Sequence, residues 1–253
     1  MTIGRNYRVG CSGIPAGLRR TRYFEKLGFL ECPETYAAPP RTKVLRSWGE
    51  SAPEGGLGLI ASRVITQSVG SSWDELPEEQ WPEAGGFRDT GVIRAAVGRL
   101  KEQVSATGAS TVLFRSAPDL ARSAEARLRT FFTDIASQEA IGGAVRIWEP
   151  GELWETTWAV KLAEELDLVL AIDPLAESHL GGSALRPVDQ LPDQRPVYLR
   201  IRGLGRARKS FRDHEIEEVA EIAMRFPSAW VVFCNQDKNR DAKKLLELLS
   251  AAS

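Results

Sequence analysis

Arginine and carboxylate side chains carry most of the chemistry available to this chain, which has only two histidines and three cysteines in 253 residues. The stretch Pro196 to Gly203 alternates. Val197, Leu199 and Ile201 share one face, and Tyr198, Arg200 and Arg202 share the other. Ala229 to Asn235 is nearly continuous apolar, as in strands covered on both faces. Two arginines are therefore expected to point into an enclosed space from the end of a buried strand. Charge placed there needs a partner. Arginine offers planar, paired donors that match carboxylate or phosphate. Arg206, Arg208, Lys209 and Arg212 follow at once, either steering anions to the same place or forming an ordinary solvated loop.

The remaining pattern supplies the elements that position these groups. Strands are expected at Tyr7–Cys11, Phe29–Glu34, Leu57–Thr66, Thr111–Phe114, Ala144–Trp148, Leu168–Asp173, Val197–Arg202 and Ala229–Cys234. Helices are expected at Leu18–Leu27, Arg41–Trp48, Gly91–Ala106, Ser123 to about Ala140, Glu152–Leu166, Asp213–Arg225 and Asp241–Leu249. Leu175 to Arg195 reads as an irregular sixth connection. Eight strands alternating with helices imply a parallel sheet. At this length they suit a single eight-stranded (β/α)8 TIM-type barrel over residues 1–253. An open doubly wound sheet would want a glycine-rich phosphate loop after the first strand, and Cys11-Ser12-Gly13-Ile14-Pro15-Ala16-Gly17 is a poor one.

In such a barrel the site lies at the C-terminal strand ends. Glu31, Gln67, Arg115, Glu149, Asp173, Arg200, Arg202 and Asn235 fall there. Glu31 and Asp173 are the candidate proton acceptors. Arg200, Arg202, Asn235 and Arg115 are the candidate binding residues. Plainer roles exist: Glu31 as a solvated strand end, Asp173 before Pro174 as a turn former, and both arginines neutralised by Glu31 or Asp173. His179, beside Gly181-Gly182, is the histidine placed for acid–base work, whereas His214 reads as an exposed helix residue. The chain holds no Gly-x-Ser-x-Gly, His-Glu-x-x-His or Cys-x-x-Cys motif. Cys11, Cys32 and Cys234 lie on strands that would be neighbours. They read as small buried residues rather than a metal site, and no metal or cofactor is expected.

Residues 67–90 form a connection of about two dozen residues, against a usual ~4–6. It carries Asp74, Glu75, Glu78, Glu79, Glu83 and Asp89 with Trp73, Trp81 and Phe87. The segment could be a lid over the C-terminal mouth, with Gly85-Gly86 as hinge, a patch for a protein partner, or a poorly ordered insertion. Net charge is −1, so no bulk attraction to nucleic acid or membrane is implied. No apolar run approaches the ~20 residues that span a bilayer. Met1 to Arg8 lacks a signal-peptide apolar stretch, so a cytoplasmic location is expected.

Several short pieces together resemble the domain of unknown function 72 (YecE-like) family. They are Val9-Gly10-Cys11-Ser12-Gly13, Glu31-Cys32-Pro33-Glu34-Thr35-Tyr36 with Pro39-Pro40, and Trp48 with Pro53. Ile65-Thr66, Ile172-Asp173, Tyr198 to Gly203, and Phe233-Cys234-Asn235 continue the series. The resemblance spans the chain and implies an eight-stranded barrel without an assigned activity, with Glu31, Asp173, Arg200 and Asn235 at polar family positions. Ile60, Gln67, Arg115, Arg146, Trp148 and Arg202 stand where the family favours other residues, several of them proton-moving. The expected function is binding or conversion of a small phosphate- or carboxylate-bearing molecule. The alternatives are a non-catalytic ligand- or partner-binding barrel and, less favoured, a nucleic-acid phosphodiesterase.

Overall fold

The structure is a computed structural model that describes residues 6–176, 186–202 and 210–252. Eight parallel strands follow one another in chain order and close into a barrel. They are β1 (Asn6–Ser12), β2 (Phe29–Cys32), β3 (Leu57–Ile60), β4 (Thr111–Arg115), β5 (Val145–Glu149), β6 (Val169–Ile172), β7 (Val197–Ile201) and β8 (Ser228–Phe233). The expected (β/α)8 architecture is present and the open sheet is excluded. Both faces of the strands are covered: every residue of β2, β3 and β7 is buried, Glu31 and Arg200 included.

Two compact units make up the chain, Met1–Glu31 with Val169–Ser253, and Cys32–Leu168. In the first, parallel pairing sets Ser12 opposite Glu31 and Arg200 opposite Val232. Helix α1 (Arg20–Phe24) sends the Tyr23 hydroxyl between β1 and β2. It donates to the Phe29 carbonyl at 2.6 Å and accepts from the Cys11 N–H at 2.8 Å. Gly10 is needed at this closure, because a Cβ there would lie 1.8 Å from the Phe29 carbonyl oxygen.

In the second unit, β4 and β5 pair so that Arg115 faces Glu149 and Phe114 faces Trp148. Helix α2 (Glu34–Ala37) follows β2, α3 is Thr42–Ser51, α4 is Arg63–Thr66, and α5 is Gly91–Thr107. Phe114 packs edge-on against Phe131 and Phe132, which form a π-helical turn (Phe131–Ile135) continuing α6 (Glu125–Thr130). Arg146 turns toward the helices. It donates to the Phe132 carbonyl and, at the end of α7 (Thr156–Glu165), to the Leu166 carbonyl, both at 2.7 Å. Burial lowers its pKa from the ordinary guanidinium value.

Several expected boundaries differ. The second strand stops at Cys32 rather than Glu34, because the Thr35 hydroxyl donates to the Ile60 carbonyl at 2.7 Å and starts a helical turn. The third ends at Ile60 rather than Thr66, where Ser62 accepts from the Val64 N–H and opens α4. Helix α8 (Asp213–Met224) starts at Asp213 as expected, behind Arg212, whose N–H donates to Glu215, and ends one residue early. The last helix, α9, is longer than expected, Lys238–Ala251.

Residues 67–90 are folded. Trp73 and Phe87 are buried, and the Trp81 indole N–H donates to the Trp73 and Leu76 carbonyls. A 3-10 turn spans Glu78–Glu83. Gly85 and Gly86 do not form a free hinge. Their N–H groups donate to Val64 and Gln67 carbonyls at 2.7 and 2.8 Å, and the Phe87 N–H to Ile65. The sixth connection holds a 3-10 turn at Pro187–Gln190; His179 and Gly181-Gly182 lie outside the described residues, as do Arg206, Arg208 and Lys209. Among the described residues no helix is long and apolar enough to cross a membrane.

Candidate functional site

At the C-terminal ends of β2 and β7, alternation puts Phe29 and Glu31 on the same side as Tyr198 and Arg200. Arg200 faces inward as its strand pattern requires, and meets a carboxylate there. Its Nη2 donates to Glu31 Oε1 at 3.1 Å and its Nε to Oε2 at 3.1 Å. The Tyr198 hydroxyl donates to Glu31 Oε2 at 2.8 Å. Glu31 is thus not a solvated strand end: it is fully buried, and both its oxygens accept hydrogen bonds. Burial first, and then the Glu31 charge, pushes the Tyr198 phenol well above its ordinary pKa, so it stays a neutral donor.

Arg202 does not share that interior. It stands one residue past β7, is exposed, and its backbone N–H donates to Asp173 Oδ2 at 3.0 Å. The other oxygen of Asp173 accepts from the Leu175 N–H at 3.1 Å. This half-buried aspartate therefore builds the turn that its Asp-Pro sequence suggests, and also ties the end of β6 to β7. Beyond β8, the Asn235 Nδ2 donates to Asp241 at 2.7 Å, and Asp241 also accepts from the Phe211 N–H. Lys238 donates to the Ser12 carbonyl, which sets an ammonium group at the end of β1. Lys238 and Asp241 were not legible as site residues, since a charged pair at a helix start usually faces solvent. Tyr198 was legible from its place on the Arg200 face.

In the Cys32–Leu168 unit, the Arg115 Nε donates to Glu149 Oε2 at 2.9 Å. The Arg115 guanidinium lies 5.6 Å from the centre of the Tyr36 ring. The Tyr36 hydroxyl donates to Gln67 Oε1 at 2.9 Å. Tyr36 belongs to the Glu31-to-Tyr36 motif, but no local sequence signal pairs it with the distant Arg115. Cys11 and Cys32 are buried and Cys234 half-buried; none is in a disulfide. His214 is exposed on α8, as its position suggested. Among the described residues, no group of three His, Cys, Asp or Glu side chains is placed to hold a metal ion.

Fold and strand-end polar residues define a TIM-type barrel whose inner-face arginines are carboxylate-paired. No family model matches the chain, and no curated protein matches it. Solved structures do. A DUF72 family protein from Enterococcus faecalis V583 has a TM-score of 0.68 at 14% identity, covering 97% of this chain and 98% of its own. A DUF72 family protein from Thermotoga maritima MSB8 has 0.64 at 14%, covering 97% and 99%. A family 2 AP endonuclease from Brucella melitensis has 0.57 at 14%, covering 98% of each. These likenesses are of fold, and they include the family that the sequence motifs resemble.

Proposed function

We propose that the chain is a divergent DUF72-family barrel that binds a small phosphate- or carboxylate-bearing molecule at the C-terminal ends of β7 and β8. The observation that carries this reading is Arg202, an exposed arginine at a strand end whose main chain is fixed by Asp173. Arg200 and Glu31 hold the strand beneath it, and Asn235 and Lys238 stand at the neighbouring strand end. The fixed backbone removes main-chain freedom before a ligand arrives, and the planar guanidinium offers paired donors to an oxyanion. Binding without turnover fits best, because both oxygens of Glu31 and of Asp173 already accept hydrogen bonds from the protein. If the ligand is converted, Asp173 is the proton acceptor with solvent access. The AP endonuclease fold likeness favours a nucleic-acid substrate less, given the net charge of −1. A protein partner at residues 67–90 is weaker too, since Trp73 and Phe87 are already folded inward.

A thermal-shift screen of phosphorylated and carboxylated metabolites tests this, because a ligand raises apparent stability with its concentration over Kd. A hit should bind roughly tenfold more weakly to Arg202→Ala, the loss of one charge-assisted contact. Equal affinity for the variant would sink the assignment.

A further inference from the structure

We propose that Tyr36, Gln67 and Arg115 form a separate oxyanion-binding site within the Cys32–Leu168 unit, taking a carboxylate or a phosphate group. The argument is one of unmatched donors. Arg115 is 33% exposed at its side chain, and among the described residues its only hydrogen bond is from Nε to Glu149. Its two Nη groups, with four N–H bonds, have no hydrogen-bond partner among the described residues. Gln67 accepts from Tyr36 through Oε1, and its amide Nε2 has no partner among the described residues. Glu149 Oε2 and Gln67 Oε1 already accept hydrogen bonds while these N–H donors have no partner among the described residues, so the group they suit is one that brings acceptors. An oxyanion does so with the planar geometry of the guanidinium edge.

The donors are also fixed in place. Glu149 is buried, its strand registered directly against that of Arg115, and it holds the Nε edge. The Tyr36 ring backs the guanidinium face, an arrangement that restrains a cation in addition to attracting it. Gln67 is pinned at both ends: its side chain by Tyr36 and its main-chain carbonyl by the Gly86 N–H at 2.8 Å. Held donors bind at lower entropic cost than mobile ones. The Glu149 charge offsets that of Arg115, so affinity should come from directed hydrogen bonds and survive moderate salt better than simple charge attraction would.

This site does not depend on Arg202, and the two are separable by experiment. Inorganic phosphate and malonate are titrated calorimetrically into the full chain at constant ionic strength, with chloride as the control anion. Wild type should show saturable binding of one or both probes. Arg115→Lys keeps a charge and the chance of pairing with Glu149 but loses the second edge; one class of site should weaken at least tenfold. Gln67→Leu, which leaves the ion pair intact, should weaken the same class about threefold to tenfold. Arg202→Ala should leave that class unchanged. Unfolding midpoints without anion show whether each variant is folded, and Gln67→Leu carries the test if Arg115→Lys is not. No saturable binding of either probe, or binding that Gln67→Leu and a folded Arg115→Lys leave intact, overturns the proposal. Loss in Arg202→Ala alone would overturn it while supporting the strand-end reading above.

Discussion

Arg200 and Glu31 are paired at 3.1 Å with side-chain exposures of 7% and 0%, so each charge depends on the other. Removing one partner strands a charge in the interior. Glu31→Gln is expected to destabilise the fold by about 3–5 kcal/mol, whereas Glu31→Met combined with Arg200→Met should sit far closer to wild type. Urea unfolding of the three proteins checks this. If the single and double variants lose the same stability, the pair is not coupled as described.

The Tyr23 hydroxyl occupies a position that a ladder hydrogen bond would otherwise fill, bridging the Cys11 N–H and the Phe29 carbonyl. Tyr23→Phe leaves two buried backbone groups without that partner and should destabilise by about 1–3 kcal/mol. Gly10→Ala should be worse, since its Cβ would meet the Phe29 carbonyl oxygen, a backbone atom that cannot step aside. A Gly10→Ala protein with a wild-type unfolding midpoint would refute the close approach.

The barrel was legible because strand identity follows from local runs of apolar residues, and eight such runs alternate with helices. The inward aim of Arg200 followed from period-two alternation alone. What alternation cannot report is which charges meet: Glu31 and Arg200 are far apart in sequence, and only barrel closure brings their strands' ends together. Arg202 shows the limit from the other side. It has the right parity, but the strand stops at Ile201, and parity says nothing once the pleat ends. The order within the long third connection was hidden for a related reason. Its acidic content reads as loop, while the burial of Trp73 and Phe87 depends on neighbours distant in sequence.

Gly85 offers a test of the anchored third connection. Its φ is +82°, and a Cβ would lie 2.5 Å from the Gln67 carbonyl oxygen. Gly85→Ala should therefore combine the strain of a left-handed residue, about 1–3 kcal/mol, with a backbone clash. Gly70 supplies the control, with φ +86° and no atom within 4 Å of its Cβ position. Gly70→Ala should show the strain alone. Thermal midpoints that fall equally in both variants would argue against close packing of Gly85 on Gln67.

Cys11 ties the β1 interior to alkaline stability. Burial, against a smaller opposing effect from the Tyr23 hydrogen bond, pushes its thiol from 9.0 up to about 11. The unfolded chain then releases its proton at a lower pH than the folded one. Between pH 9 and 11 the folded state binds more protons, so stability falls as pH rises through that window and is fully retained below it. A two-unit difference corresponds to ~2–3 kcal/mol at most. Tyr198, also raised, contributes to the decline at the upper end, but equally in any variant that keeps it. The expected outcome is a shallower loss of unfolding free energy from pH 8 to 11 in Cys11→Ala than in wild type. The small packing defect of that variant lowers its whole curve without altering the slope. Parallel curves across this range would mean that the Cys11 thiol ionises as it does in water, and that the β1 interior is open to solvent.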